Sequence, residues 1–410
     1  MRSIFLLLVG CFSFSFAYGQ KTKTEQAVSM SLIQMGMENI AVVEEPEVLH
    51  LSFDAPVYRN NYQGLFEVIC MFLEKNDSNR NIQILLMEEQ MPRLVVQIPE
   101  SAIRAYRNRQ LSLEGVMQTL TVRHETKADQ SVFKNRKREN SSFGKIDLVL
   151  YPQISLNNAW MDKLYGAIVN IAPAIEVGLW KGASFTGQVI FPIWNNMKGE
   201  MDYIRPGMLV FRQQADLVSR LQTTFSIGNF NGSRMGADID FRYRPVQGHW
   251  MIGARGGLTG ASTFHEGKWE VAYWKHFFGS AYAEYYLPYY NLDIRLAANR
   301  YIYGDYGARM DITRHFGEVA VGVYAMHTGG EYNGGFHFAI PLFPEKRKKR
   351  GTIQIRLPRY FDWEYEAQSG NEYVAKRLGR DYETRPDENR SQFYYNPAYI
   401  KSALIQLSRK

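Results

Sequence analysis

From about Lys145 to Phe343 the chain returns repeatedly to short segments in which apolar and polar residues alternate strictly, with charges concentrated in the polar set. Successive side chains of a strand point to opposite faces, so a period of two predicts strands with one apolar and one ionic face. The clearest segment runs from Arg234 to Arg244: Met235, Ala237, Ile239, Phe241 and Tyr243 share one face, and Arg234, Gly236, Asp238, Asp240, Arg242 and Arg244 the other. Leu292, Ile294, Leu296 and Ala298 alternate in the same way with Asn291, Asp293, Arg295 and Asn299. Tyr306, Ala308, Met310 and Ile312 alternate with Gly307, Arg309, Asp311 and Thr313. Val319, Val321, Val323 and Ala325 form another apolar row, and Phe336, Phe338, Ile340 and Leu342 a further one.

Strands are expected near 145–156, 166–179, 183–193, 206–216, 218–229, 233–244, 249–258, 268–276, 279–287, 290–300, 305–315, 318–327 and 335–343. Single-chain bacterial barrels use even strand numbers. The expectation is therefore about twelve strands with one early segment a loop, or fourteen if Thr352 to Leu357 adds one. The run Phe336 to Phe343 reads as an aromatic-ended final strand, which favours twelve.

A soluble antiparallel sandwich also alternates, with its polar face in water. Three features favour an antiparallel transmembrane β-barrel of the outer membrane: no intervening helix, aromatics near strand ends (Trp250, Trp269, Tyr273, Trp274, Tyr285, Tyr286, Tyr289, Tyr290, Tyr301, Tyr303), and an export signal. A closed barrel lets strands satisfy every backbone group in a bilayer.

The amino end reads differently. Met1 to Gly19 has Arg2, an apolar run from Ile4 and small residues at Ala17 and Gly19, the pattern of a cleaved secretory signal. Leu8-Val9-Gly10-Cys11 offers lipidation at Cys11 as the less favoured alternative. Residues 20–126 show helical spacing at Ala27 to Met37 and Tyr62 to Glu74. Between and after these lie apolar strand-like runs at Asn39–Val43, Val48–Phe53, Ile82–Leu86 and Arg93–Ile98, and short helices are expected to start near Ser101 and Ser112. These predict a small periplasmic α+β module. Residues 127–143 have the polar composition of a linker, 144–343 form the barrel, and 344–410 form a basic, polar periplasmic tail.

Composition narrows the classes. No apolar run of some 18 residues follows the signal, which excludes helical spanning. A mean hydropathy of −0.32 with 14% aromatics suits a barrel with polar inward positions. Once the signal is removed Cys70 stands alone, so no internal disulfide is available. The net charge of +7 matters less than its concentration in Lys346, Arg347, Lys348, Lys349 and Arg350. That run is either a solvated border or a contact for an anionic polymer or lipid head group.

Chemistry is sparse. The eight histidines have no zinc spacing, and no metal or cofactor is expected. Gly253 to Gly260 follows no buried parallel strand and opens no helix, so small inward residues of a barrel strand explain it better than a phosphate loop. Ser262 with His265, or Ser280 with His276, could be drawn as an interfacial catalytic pair, supported by nearness in sequence only. Arg234, Asp238, Asp240, Arg242, Asp293, Arg295, Arg309 and Asp311 mix both signs, as a pairing network filling a narrow barrel would. A wide selective pore would show one sign at its constriction.

The stretch Arg300-Tyr301-Ile302-Tyr303-Gly304-Asp305-Tyr306-Gly307-Ala308-Arg309, then Thr313-Arg314-His315-Phe316-Gly317, then Gly334-Gly335-Phe336-His337-Phe338 and Ile340-Pro341-Leu342, resembles the YjbH/GfcD family of outer-membrane proteins. Leu32 to Ile40 and Tyr58-Arg59 resemble its amino-terminal part. The chain is shorter than those proteins. The resemblance rests most on Gly304, Asp305, Gly307 and Arg314 and implies a non-enzymatic role in exopolysaccharide or capsule assembly or export. Expected partners are outer-membrane lipids, a surface polysaccharide and periplasmic export proteins, and not nucleic acid. The alternatives are a porin-like solute channel and an interfacial lipid-modifying barrel enzyme.

Overall fold

A computed structural model describes residues 21–75, 80–157, 166–196, 201–218, 220–246, 248–367, 371–386 and 395–409. The expected signal segment and Cys11 lie outside these residues.

The amino-terminal module is a five-stranded mixed sheet in sequential order: β1 (Glu38–Glu44), β2 (Val48–Asp54), β3 (Asn81–Glu88), β4 (Met91–Ile98) and β5 (Thr121–His124). Only the β2/β3 pair is parallel, joined by helix α2 (Asn61–Lys75). α1 (Lys23–Gln34) starts at a Thr22/Glu25 capping box, which satisfies two otherwise orphaned amide donors. α3 (Glu100–Arg107) and α4 (Leu113–Thr119) complete the helical face, with Ser112 capping α4. Leu32, Leu49, Leu51, Leu65, Ile69 and Leu94 are fully buried between sheet and helices.

The stretch expected to be a linker folds back instead. Residues Lys127–Ser131 form a short helix, α5, and Phe133 packs on the opposite sheet face against Ala41, Val43, Leu85 and Val95. Polar composition hid one anchoring aromatic.

The second sheet has fifteen strands. β6 (Ile146–Asn157), β7 (Gly166–Gly178), β8 (Ala183–Asn195), β9 (Arg205–Val218), β10 (Leu221–Phe230), β11 (Arg234–Tyr243) and β12 (Trp250–His265) form an antiparallel meander. After the short β13 (Lys268–Val271) it continues through β14 (His276–Leu287), β15 (Leu292–Arg300), β16 (Tyr306–Phe316), β17 (Val319–Thr328) and β18 (Glu331–Pro341).

Two expectations are corrected, and the optional fourteenth strand is located. The segment 268–276 is no through-strand: β13 pairs only with the end of β12 in a hairpin extension, all of it exposed. The run ending at Phe343 is not the last strand, because β20 (Tyr360–Ala367) pairs antiparallel with β18. The candidate fourteenth strand is β19 (Ile353–Arg356), which pairs parallel with β6 at the opposite end of the sheet. Along its main path the sheet thus has fourteen strands with β19 and β20 at its edges, and β20, which follows twelve meander strands, runs in the same direction as β6. Across these two terminal strands the Trp363 Nε1–H donates to the Ile154 carbonyl at 3.0 Å.

The sheet is strongly curved. Arg309 of β16 pairs with Glu364 of β20 at 2.8 Å, although β17 and β18 lie between them. Curvature is plainest between β6 and β20, which strands about 4.8 Å apart would hold roughly 58 Å apart in a flat sheet, yet Trp363 meets Ile154 at 3.0 Å.

Residues 344–410 are not a trailing tail. They supply β19 and β20, and then 371–386, with α6 (Asn371–Ala375), lies against the charged face. Helix α7 (Pro397–Leu407), capped by Asn396, packs on the module through Tyr399, Ile400 and Leu404.

Candidate functional site

The two faces of the large sheet have inverted polarity relative to a soluble protein. Ile193, Leu296 and Val323 are 54–60% exposed, whereas Arg234, Asp238, Asp240, Glu284 and Asp293 are at most 6% exposed. The charged face is the covered one.

The eight charges expected there do gather on it, through partners that alternation alone does not reveal. Glu284 and Arg295 are opposed across β14/β15, with oxygen and nitrogen 3.6 Å apart, and the Arg295 guanidinium lies over the Tyr282 ring at 4.5 Å. Tyr282 donates to Asp240 at 2.8 Å and accepts from Arg242 Nε, while Arg242 also pairs with Asp240. Arg309 pairs with Asp311 two residues along its own strand as well as with Glu364. Asp293 is buried on the same face, and Arg234 donates to the Tyr303 hydroxyl at 2.7 Å.

The segment 371–386 crosses this face. Tyr382 stacks on Phe230 at 5.1 Å and donates to Asp238 at 2.7 Å, and Arg255 of β12 binds both Asp238 and the Tyr382 carbonyl. The residues expected to form a phosphate-free glycine stretch explain how it fits. A Cβ on Gly257 would lie 1.6 Å from the Tyr382 hydroxyl, and one on Gly253 would overlap Tyr282. Leu378 and Tyr373 bury themselves with Met326 and Tyr301, Arg380 pairs with Glu366, and Glu383 accepts from Asn231. One short segment thus touches strands from β10 to β20.

The motif residues Gly304 and Asp305 belong to this arrangement. Gly304 has φ +97°, a left-handed turn that suits glycine. It places Asp305 where one carboxylate oxygen accepts from both Thr328 Oγ1 at 2.6 Å and the Gly379 amide at 2.8 Å. Gly307 allows the close approach of the Thr328 side chain. Arg314 faces outward, its guanidinium over Phe316 at 5.1 Å.

At the opposite end of the strands the module docks. Gly182 N–H donates to the Glu89 carbonyl, His124 N–H to Val246, and Arg59 pairs with Glu318. Here the basic run divides. Lys346 lies over the Tyr58 ring at 4.9 Å, Lys348 and Lys349 are exposed, and Arg350 pairs with Glu38 and Asp147. Arg347 lines a cavity of about 170 Å³ between module and sheet, with Arg212, Arg350, Arg356, Arg359 and Arg385. Glu38, Asp54, Glu88, Glu89, Asp147 and Glu176 supply its carboxylates. Burial, reinforced by Arg356 and Arg359, pushes the Arg347 guanidinium down to about 9. Burial raises Asp54 to about 7 and Glu38 above the ordinary carboxylate range, so both hold protons more tightly than exposed acids.

The serine and histidine pairs do not meet. Ser262 and His265 fall on opposite faces of β12, and Ser262 accepts from Trp269 Nε1 at 2.8 Å. His276 is engaged at Nδ1 by the Ile302 carbonyl at 3.1 Å. Among the described residues no group of three or more histidines, cysteines or acids could hold a metal ion. Sequence reasoning missed Tyr382, Arg255, Glu364 and Arg212, because their partners are remote in the chain. Comparison of the chain with family models, with curated proteins and with solved structures finds no match.

Proposed function

We propose that the chain is an outer-membrane β-barrel protein that acts, without catalysis, in the assembly or export of a surface polysaccharide. The observation that carries the membrane part is the inverted sheet: apolar side chains exposed on the outer face, charges buried on the inner. A soluble sandwich would lose free energy at every exposed Ile, Leu and Val of that face, whereas lipid accepts them. The meander strands, 9 to 16 residues long, are long enough to span a bilayer when tilted. Exposed aromatics stand at both strand ends: Trp180, Trp250 and Tyr289 on the module side, Trp194, Tyr306 and Tyr332 on the other. Among the described residues no helix is long and apolar enough to cross a membrane.

Closure of the sheet is part of this reading and is supported by its curvature and by the Trp363–Ile154 bond. The polysaccharide role is supported by the YjbH/GfcD-like motif, whose Asp305 holds the inner segment at Gly379. In this reading the module faces the periplasm, and the segment 371–386 keeps the resting barrel filled. The expected test is deletion of the gene in its own host: the outer membrane should lose surface polysaccharide, and reintroducing the chain should restore it. Unchanged polysaccharide together with loss of small-solute uptake would favour the porin-like reading.

A further inference from the structure

We infer that the cavity between module and sheet is a binding site for a single oxyanion group, a carboxylate or sulfate, received by Arg347. The inference stands on the cavity alone and does not need the polysaccharide reading.

Apart from Asp54, which accepts from Asn39 and the Gln90 amide, the carboxylates of this cavity are already engaged by other cations. Asp147 and Glu176 are held by Arg356 at 2.9 and 2.7 Å, and Asp147 also by Arg350 at 3.0 Å. Glu38 is shared by Lys145 and Arg350, and Glu89 is paired with Arg212. Arg359 approaches Glu88 at 3.6 Å. Arg347, in contrast, meets no carboxylate within ion-pair distance among the described residues. Its side chain gives one long hydrogen bond, to the Leu357 carbonyl at 3.4 Å, and its Nε–H is buried without an acceptor.

A guanidinium is always charged under ordinary conditions and offers five donors in a fixed fork that fits an oxyanion. The lining sets six arginines against six carboxylates, so with Asp54 protonated one positive charge is left over for an anion to neutralise. Protonation of Asp54 near neutrality removes one competing negative charge. The backbone N–H of Arg347 is fixed to the Val57 carbonyl at 2.7 Å, so module and sheet together set its position. The volume of about 170 Å³ has room for a sulfate or for one acidic sugar residue.

The purified full-length chain in detergent should be titrated calorimetrically with sodium sulfate, glucuronate and glucose. Expected results are binding of sulfate, glucuronate or both, none of glucose, and about tenfold or greater weakening in Arg347→Gln, as loss of a charged hydrogen-bond donor implies. Glucuronate bound in preference to sulfate would identify a sugar-borne carboxylate, and the reverse a free oxyanion. Replacing the exposed Lys348 and Lys349 by Gln should change affinity less than twofold. No binding of either anion, or equal binding by Arg347→Gln, overturns the inference. If Arg347→Gln does not fold, Arg347→Lys, which keeps the charge but loses the fork, should bind severalfold more weakly, and unchanged affinity overturns the inference.

Discussion

Asp54 ties the stability of the module to pH. Its carboxyl accepts from Asn39 and the Gln90 amide inside the module, and burial holds its proton to about pH 7. An unfolded aspartic acid releases its proton near 3.9, so between these values the native state binds more protons. The contribution is full at acid pH and is lost as pH rises toward about 7. Glu125, raised to about 7 by burial and Asp216, acts in the same direction. His124, lowered by burial to about 3, acts oppositely: its contribution is present above its unfolded value near 6.5 and is lost as pH falls toward 3. Asp54→Asn should therefore lessen the decline between about pH 4 and 7, by up to ~1.4 kcal/mol per pH unit. Urea midpoints read from labelling of the half-buried Cys70 would measure this, and an unchanged pH slope would contradict it. At the same scale Gly257→Ala must displace Tyr382, at a cost of about 1–3 kcal/mol in packing. Limited proteolysis should then cut within 371–386 faster than in the wild type. The glycine run was visible in the sequence. Its reason was not, because the ring it admits arrives from 125 residues further along the chain.

Strands were the most legible elements, since a period of two survives single substitutions. Leu296, on the apolar face of β15, is 54% exposed, and if that face meets lipid as proposed, Leu296→Arg should destabilise the protein by about 2–4 kcal/mol. Loss of heat-modifiable migration on gels is the expected result, and normal migration would count against a lipid-facing row. β20 shows how a clear signal can be passed over. Phe361, Trp363 and Tyr365 alternate with Asp362, Glu364 and Glu366, yet the segment follows Pro341 and a run of cations, both of which read as an end. β13 shows the opposite error: alternation at Lys268–Val271 is real, but Ala272 to Lys275 leaves the ladder after four residues. The module's helices were placed closely because caps and apolar stripes agree there, as at Ser112 and along α2.

For the whole molecule, the charged face of the large sheet is covered twice, by its own paired charges and by 371–386. In planar bilayers the purified protein should show little conductance. Removing residues 371–386 should produce larger and more frequent open steps, whereas equal conductance would show that the strand charges alone close the interior. The two-part plan of module and sheet was readable from the change in period near residue 145. The crossing of the charged face was not, since this stretch has no periodicity and its anchors at Asp305 and Asp238 lie 74 and 144 residues away in the chain.

The position of the inner segment also constrains the order in which the molecule can be made. In the proposed barrel the terminal strands β6 and β20 run in the same direction, and β20 is followed in the chain by the segment inside and then by α7 on the module. β19, on the β6 edge, leads through residues 357–359 into β20, on the β18 edge, so the chain ties the two edges together before the inner segment begins. In the proposed barrel, residues 371–386 are therefore laid over a face whose edges are already joined. Helix α7 then acts as a latch for that segment: a chain cut short before Pro397 should leave 371–386 loosely seated, seen as faster cleavage there by protease in pulse-labelled cells.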